Sequence, residues 1–139
     1  MEQPNQYRYF IGVDVSKSEL DFAVVEANQV LFHVEVNNDK KGIKDFFRQL
    51  KALDQGDIKH SLFCLEHTGI YNNPLLSSLF QKQAAIWVEK ATQIRESMGV
   101  SRTKSDKVDA IKIARYAYKN REDALYYAGI VWHYVWSWN

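Results

Sequence analysis

Asp106 and Asp109 stand three residues apart in SRTKSDKVDAIKIARYA, residues 101–117. On a helix that spacing puts both carboxylates on one side, about one turn apart. Like charges that close repel, and a cation held between them would remove the repulsion. Two further acids could join them. Asp14, in IGVDVS, shares a strand face with Gly12 and Ser16. A carboxylate inside a strand is costly unless something pairs with it, and Gly12 leaves space for an ion or a ligand backbone. Glu66 ends the apolar run SLFCLE, and ligand sites in open α/β sheets favour the carboxyl ends of strands. Four such acids, with no basic partner in their own motifs, suit a hard divalent cation, Mg²⁺ or Mn²⁺. Two such ions about 3.5–4 Å apart stabilise the attacking and leaving oxygens of a phosphoryl transfer.

Each acid also has a purely structural reading. Thr103-Lys104-Ser105-Asp106 fits a relaxed capping pattern, so Asp106 can serve a helix start. Asp109 can favour the dipole of the same helix. Glu66 can be a strand-end surface charge and Asp14 a turn-side acid. His67 has no companion His or Cys at ligand spacing, which favours a supporting role. No Cys–His nucleophilic pair and no P-loop appear. GVDVSKSELDFAVV is similar to the first phosphate loop of actin-like sugar kinases, but Val15 stands where that loop prefers glycine. The later glycine-rich phosphate motifs are missing.

The elements that must position these acids are legible from periodicity. Alternating β-rich runs predict antiparallel strands at 8–15, 20–27 and 30–37. DKKGIKDFFRQLKAL places Ile43, Phe46, Phe47, Leu50 and Leu53 at helical spacing. HSLFCLE predicts a buried strand, NNPLLSSLFQKQ a helix with Pro74 near its start, AAIWVEK a fifth strand, and SDKVDAIKIARYAYKN a closing helix. The order βββαβαβα predicts an α/β fold, a mixed five-stranded sheet flanked by helices. Neighbouring first and fourth strands would bring Asp14 to Glu66. The face Ala110, Ile113, Ala117 lets the closing helix approach the sheet with its two aspartates.

At 139 residues, 46% hydrophobic and 25% charged, the chain predicts one soluble globular domain. Its single cysteine, Cys64, excludes a disulfide framework and suits a reducing cytoplasm. No signal-peptide core opens it. No run approaches the ~18 apolar residues of a membrane span. The net charge of +1 hides an imbalance. Residues 90–121 carry nine Lys/Arg against three acids, an excess of +6 that leaves −5 elsewhere. Such a segment can be the footprint of a phosphate backbone or a solvated helix face. Its candidate phosphate contacts are Arg95, Arg102, Lys104, Lys107 and Lys112. Residues 124–139, ALYYAGIVWHYVWSWN, hold three of the four tryptophans and no Asp, Glu, Lys or Arg. The expectation is an aromatic tail docked on this domain or between two copies of the chain.

IGVDVSKSELDFAVV, LEHTGIY and KSDKVDAIKIARYA, in this order and at these distances, resemble the N-terminal domain of the DEDD transposases of bacterial insertion sequences, the one-ten group. That domain is similar in fold to the RuvC resolvase and the ribonuclease H superfamily. The resemblance runs from about Tyr9 to Lys119. It implies that Asp14, Glu66, Asp106 and Asp109 form the tetrad that binds Mg²⁺ where DNA strands are cleaved and joined. It also implies a multimeric complex, a structured RNA bridging two DNAs, and a second domain carrying a serine nucleophile. That second domain has no counterpart in these residues. The expectation is therefore a catalytic domain over 1–123 that is incomplete for transposition by itself. Two other readings stand beside it: a nucleic-acid-binding or oligomerisation remnant with vestigial acids, and an actin-like ATP-binding fragment.

Overall fold

A computed structural model of the chain describes residues 7–67, 70–97 and 109–123. Asp106, Arg102, Lys104, Lys107 and the aromatic tail lie outside the described residues. Three antiparallel strands come first: β1 (Tyr9–Val15), β2 (Glu19–Glu26) and β3 (Gln29–Asn37). Then follow α1 (Lys40–Lys51), β4 (Ser61–Glu66), α2 (Asn73–Gln81), β5 (Ala85–Glu89), α3 (Ala91–Ser97) and α4 (Ala110–Lys119). The strands form one mixed sheet in the order β3-β2-β1-β4-β5, with β4 parallel to both β1 and β5. The expected neighbouring of the first and fourth strands is realised.

Each strand has two faces with different jobs. Ile11, Val13, Phe22 and Phe63 share one face through the pairings Ile11↔Phe63 and Val13↔Phe22. Against this face lies α1, whose Phe46 stacks on Phe22 at 3.8 Å and meets Phe63 edge-on at 6.2 Å. Helix α1 forms because Ile43, Phe46, Phe47 and Leu50 fall on one stripe, and all four are buried. Each such side chain contributes about 1.5–3 kcal/mol on burial. Asp39 caps the helix by accepting the Gly42 N–H at 2.8 Å, worth roughly 1 kcal/mol.

The opposite face presents Phe10, Gly12, Cys64 and Trp87, and α4 covers it. Ala110, Ile113, Ala114 and Ala117 are buried along that helix. Its small residues bring its backbone down onto Gly12: a Cβ built there would lie 2.2 Å from the Ala110 oxygen and 2.4 Å from the Ala114 nitrogen. Further along, Tyr118 meets Phe10 at 5.4 Å. Helix α4 therefore runs against the direction of β1, with its N-terminus toward Asp14.

Two expectations need correction. The closing helix does not run through Asp109, whose backbone is extended (φ −85°, ψ 174°). Asp109 therefore precedes the helix instead of lying on it, and its expected stacking with Asp106 falls outside the described residues. The second is α3, which the sequence pattern does not announce: in ATQIRES Ile94 is the single large apolar residue, and it is fully buried. Among the described residues, no helix is long and apolar enough to cross a membrane.

Candidate functional site

The sheet register assembles acids in a row. Asp14 pairs with Asp21 across β1 and β2. The parallel pairing Val13↔Leu65 makes Glu66 the next neighbour of Asp14 on β4, and Glu66 pairs with Glu89 on β5. Paired residues project to the same face. Asp21, Asp14, Glu66 and Glu89 therefore line one face, across four strands spaced about 4.8 Å apart, and Glu35, which pairs with Asp21 on β3, continues the row. They sit where the parallel strands end, on the α4 side. Sequence reasoning found Asp14 and Glu66 and missed the other three. One signal for Glu89 was available, since AIWVE and SLFCLE are both apolar strands closed by a glutamate.

Adjacent carboxylates need counter-donors. Glu89 has three. Its Oε1 accepts from the Trp87 indole at 3.0 Å and the Tyr116 hydroxyl at 3.2 Å. Its Oε2 accepts from the Lys90 backbone at 3.2 Å. On the β3 side, Asp21 lies 3.4 Å from His33 Nε2. The inner acids, Asp14 and Glu66, are both part-buried, and Glu66 Oε2 is itself buried. The N-terminus of α4 adds a positive dipole end nearby.

The row's field registers on its neutral neighbours. The Cys64 thiol, fully buried on β4 two residues before Glu66, is pushed well above its usual pKa by burial first, then by Glu89 and Glu66. Burial and Glu89 likewise raise the Tyr116 hydroxyl. A neutral, enclosed thiol is a poor metal ligand, so the donors here are hard oxygens.

Asp109 is the N-cap of α4, exposed, with Oδ1 accepting the Lys112 N–H at 2.9 Å. The helix-start reading of Asp109 thus holds, and its position above Gly12 also puts it at the acid-bearing end of the sheet. Among the described residues no group of three His, Cys, Asp or Glu is gathered tightly enough to hold a metal. The donor chemistry of Asp14 and Glu66 fits a hard divalent cation, and two carboxylates leave that coordination incomplete. His67 lies past β4, where its backbone N–H donates to the Glu89 oxygen at 2.9 Å and ties the two strand ends together. Of the candidate phosphate contacts, Arg95 is half-buried on α3, with its Nε buried and making no hydrogen bond. Lys112 is partly exposed on the first turn of α4.

A transposase family model, that of the IS110-type DEDD proteins, matches residues 11–128. Among solved structures, Thermus thermophilus RuvC in complex with a Holliday junction substrate is similar at a TM-score of 0.55 and 14% identity. The match covers 85% of this chain and 98% of that one. A second Thermus thermophilus RuvC structure has a TM-score of 0.48 and 15% identity, covering 80% and 94%. No curated protein matches the chain. The mixed five-stranded sheet with flanking helices is thus a RuvC-like, ribonuclease H-like fold. With the family model matching most of its length, the chain belongs to the IS110-type DEDD transposases.

Proposed function

We propose that residues 1–123 form the metal-dependent DNA strand-cleavage and joining domain of a transposase, incomplete without a serine-bearing second domain. The observation that carries this reading is the juxtaposition of Asp14 and Glu66 on adjacent parallel strands, at the sheet end where α4 begins. Asp106 and Asp109, from the segment entering α4, complete the donor set for Mg²⁺ or Mn²⁺. Bound there, the cation neutralises the carboxylates and stabilises oxyanions of phosphoryl transfer. The chain's own acids set where a scissile phosphate sits. Arg95, Arg102, Lys104, Lys107 and Lys112 neutralise flanking phosphates. The partner is DNA, as it is for the RuvC solved with a Holliday junction. A structured RNA, and a second copy docked through residues 124–139, complete the assembly.

Melting curves with EDTA and with excess Mn²⁺ test the site. A metal bound only by the folded chain adds about 2.7 kcal/mol at a hundredfold excess over Kd. Asp14→Asn relieves repulsion, so the metal-free variant is as stable as the parent or more so, and its response to Mn²⁺ shrinks. Asp109→Asn keeps the cap but gives up the charge at the helix N-terminus, about 0.3–1 kcal/mol of metal-free stability, and its response to Mn²⁺ shrinks as well. An undiminished metal response in both variants refutes the shared site. Salt-dependent binding to DNA with no metal response at all identifies the remnant reading instead.

A further inference from the structure

On the face of the sheet that α1 covers, away from the acids, stands a charge pattern that folding alone does not explain. Lys40, Lys44, Phe47 and Lys51 recur at i, i+4, i+7 and i+11, which sets them in one row along α1. The three lysines are exposed, whereas Phe47 is buried and meets Phe63 at 6.0 Å. Lys82, the exposed C-cap of α2, lies over the Phe47 ring at 4.9 Å and so joins the row from the neighbouring helix. The sequence of α2, NPLLSSLFQ, holds no charged residue. The acids near α1 are engaged elsewhere. Asp39 caps the helix at Gly42, Asp45 pairs with Arg48, and Asp54 pairs with Arg8. Glu35 borders the other flank, beside Lys41 and Asp45. Among the described residues Lys44, Lys51 and Lys82 make no ion pair. The pattern also opposes the helix. Lys40, Lys41 and Lys44 stand in its first five residues, with no acid in the first turn, where cations oppose the dipole. Lys44 has a like charge one turn away on either side, Lys40 and Arg48, and such pairs destabilise a helix. A bound polyanion reverses both effects.

We infer that the surface of α1 and α2 around Phe47 binds the backbone of a second DNA duplex, with Lys44, Lys51 and Lys82 on its phosphates. The choice of DNA rests on the functional reading above, since joining strands brings two DNA segments to one protein. Helix α1 packs on the sheet face of Phe22 and Phe63, whereas the acids line the face under α4. A segment engaged at the acids therefore leaves this surface free for another. Neither α1 nor α2 exposes a large apolar side chain. The surface thus lacks the apolar centre of a protein interface and the apolar face that an interfacial helix sinks into lipid. Protein–DNA interfaces are instead polar and positively charged. This surface is separate from the Lys/Arg-rich segment 90–121.

The test follows a short DNA duplex binding to the whole chain by fluorescence anisotropy, in EDTA, as salt is raised. Each phosphate contact contributes about 0.9 to the salt slope. Lys44→Gln with Lys51→Gln therefore lowers the slope by about 1.8, and adding Lys82→Gln lowers it by about 2.7. Between about 50 and 200 mM salt the parent accordingly loses roughly 12-fold and 40-fold more affinity than these two variants. Lys44→Arg with Lys51→Arg keeps the parent's slope. Lys44 and Lys51 are exposed, so the double Gln variant melts like the parent. Its melting temperature also rises with Mn²⁺ as the parent's does, because the acids lie on the other sheet face. A parental slope in the triple variant overturns this surface and leaves the functional reading standing. So does a loss of affinity confined to duplex RNA, which gives the surface to RNA. A slope lowered equally by the Arg variant also overturns it, since packing and not charge is then the cause. A parent that binds no duplex DNA overturns the functional reading, and this inference with it.

Discussion

Gly12→Ala probes the contact on which the site's geometry depends. The added carbon would sit 2.2 Å from the Ala110 oxygen and 2.4 Å from the Ala114 nitrogen, whereas ordinary contact begins near 3.4 Å. Helix α4 must therefore retreat by about 1.2 Å, the difference between those distances, because both obstructing atoms are backbone. Retreat loosens Ala110, Ile113, Ala114 and Ala117, all fully buried against the sheet. Overpacking of this kind costs about 1–3 kcal/mol, and a rigid obstacle puts it at the upper end. For a chain of this length 3 kcal/mol corresponds to a fall in Tm of roughly 10 °C. The same movement carries Asp109 away from the strand acids and lengthens the 3.2 Å bond from Tyr116 to Glu89. Urea and thermal unfolding of parent and variant measure the cost. A loss under about 0.5 kcal/mol, the range of an uninvolved surface change, would refute close docking of α4 on Gly12.

Two further outcomes follow from backbone strain and from buried neutral acids. Gln83, just past α2, holds a left-handed φ of 58°, so Gln83→Gly raises stability by roughly 0.5–1 kcal/mol in urea titration. The folded state holds the Cys64 and Tyr116 hydrogens to higher pH than ordinary side chains do. The unfolded chain releases them near pH 8.5 and 10, so it binds fewer protons there and stability falls as pH rises. The contribution is complete below pH 8.5 and is lost toward the raised folded values. Cys64→Ala flattens the decline between pH 8.5 and 10, and Tyr116→Phe flattens it above pH 10. An unchanged slope in both refutes the assignment.

The strands were legible because alternation in β-branched and aromatic residues is a local signal. All five lie within about a residue of expectation, as does the start of α1, where Asp39 caps a four-residue apolar stripe. The α4 start was misread for a local reason as well. Thr103-Lys104-Ser105-Asp106 offers a capping pattern three residues upstream of the cap that forms, and both sites are compatible with the pattern downstream. Helix α3 was missed because one buried isoleucine makes no period. The candidate pair Asp14 and Glu66 could be named from strand composition, yet Asp21 could not be placed beside them, and for Glu89 the likeness of AIWVE to SLFCLE was the one signal. Cross-strand neighbours depend on strand order and register, which are long-range properties.

The outer acids explain how such a row stays folded. Four carboxylates side by side repel, and each unsatisfied charge in a part-buried setting costs more than a surface charge does. Glu89 answers this with three donors from β5, the residue after it and α4, and Asp21 with the His33 ring. The three bonds to Glu89 leave its carboxylate little room for a cation, so this end of the row serves the scaffold. They also fix strand and helix ends: the hydroxyl of Tyr116 joins α4 to β5, and the His67 N–H joins β4 to the same strand. The two acids between them, Asp14 and Glu66, stand in that frame beside the N-terminus of α4. A sheet that flanks its central carboxylates with partnered ones in this way lowers the electrostatic cost of holding the central pair together.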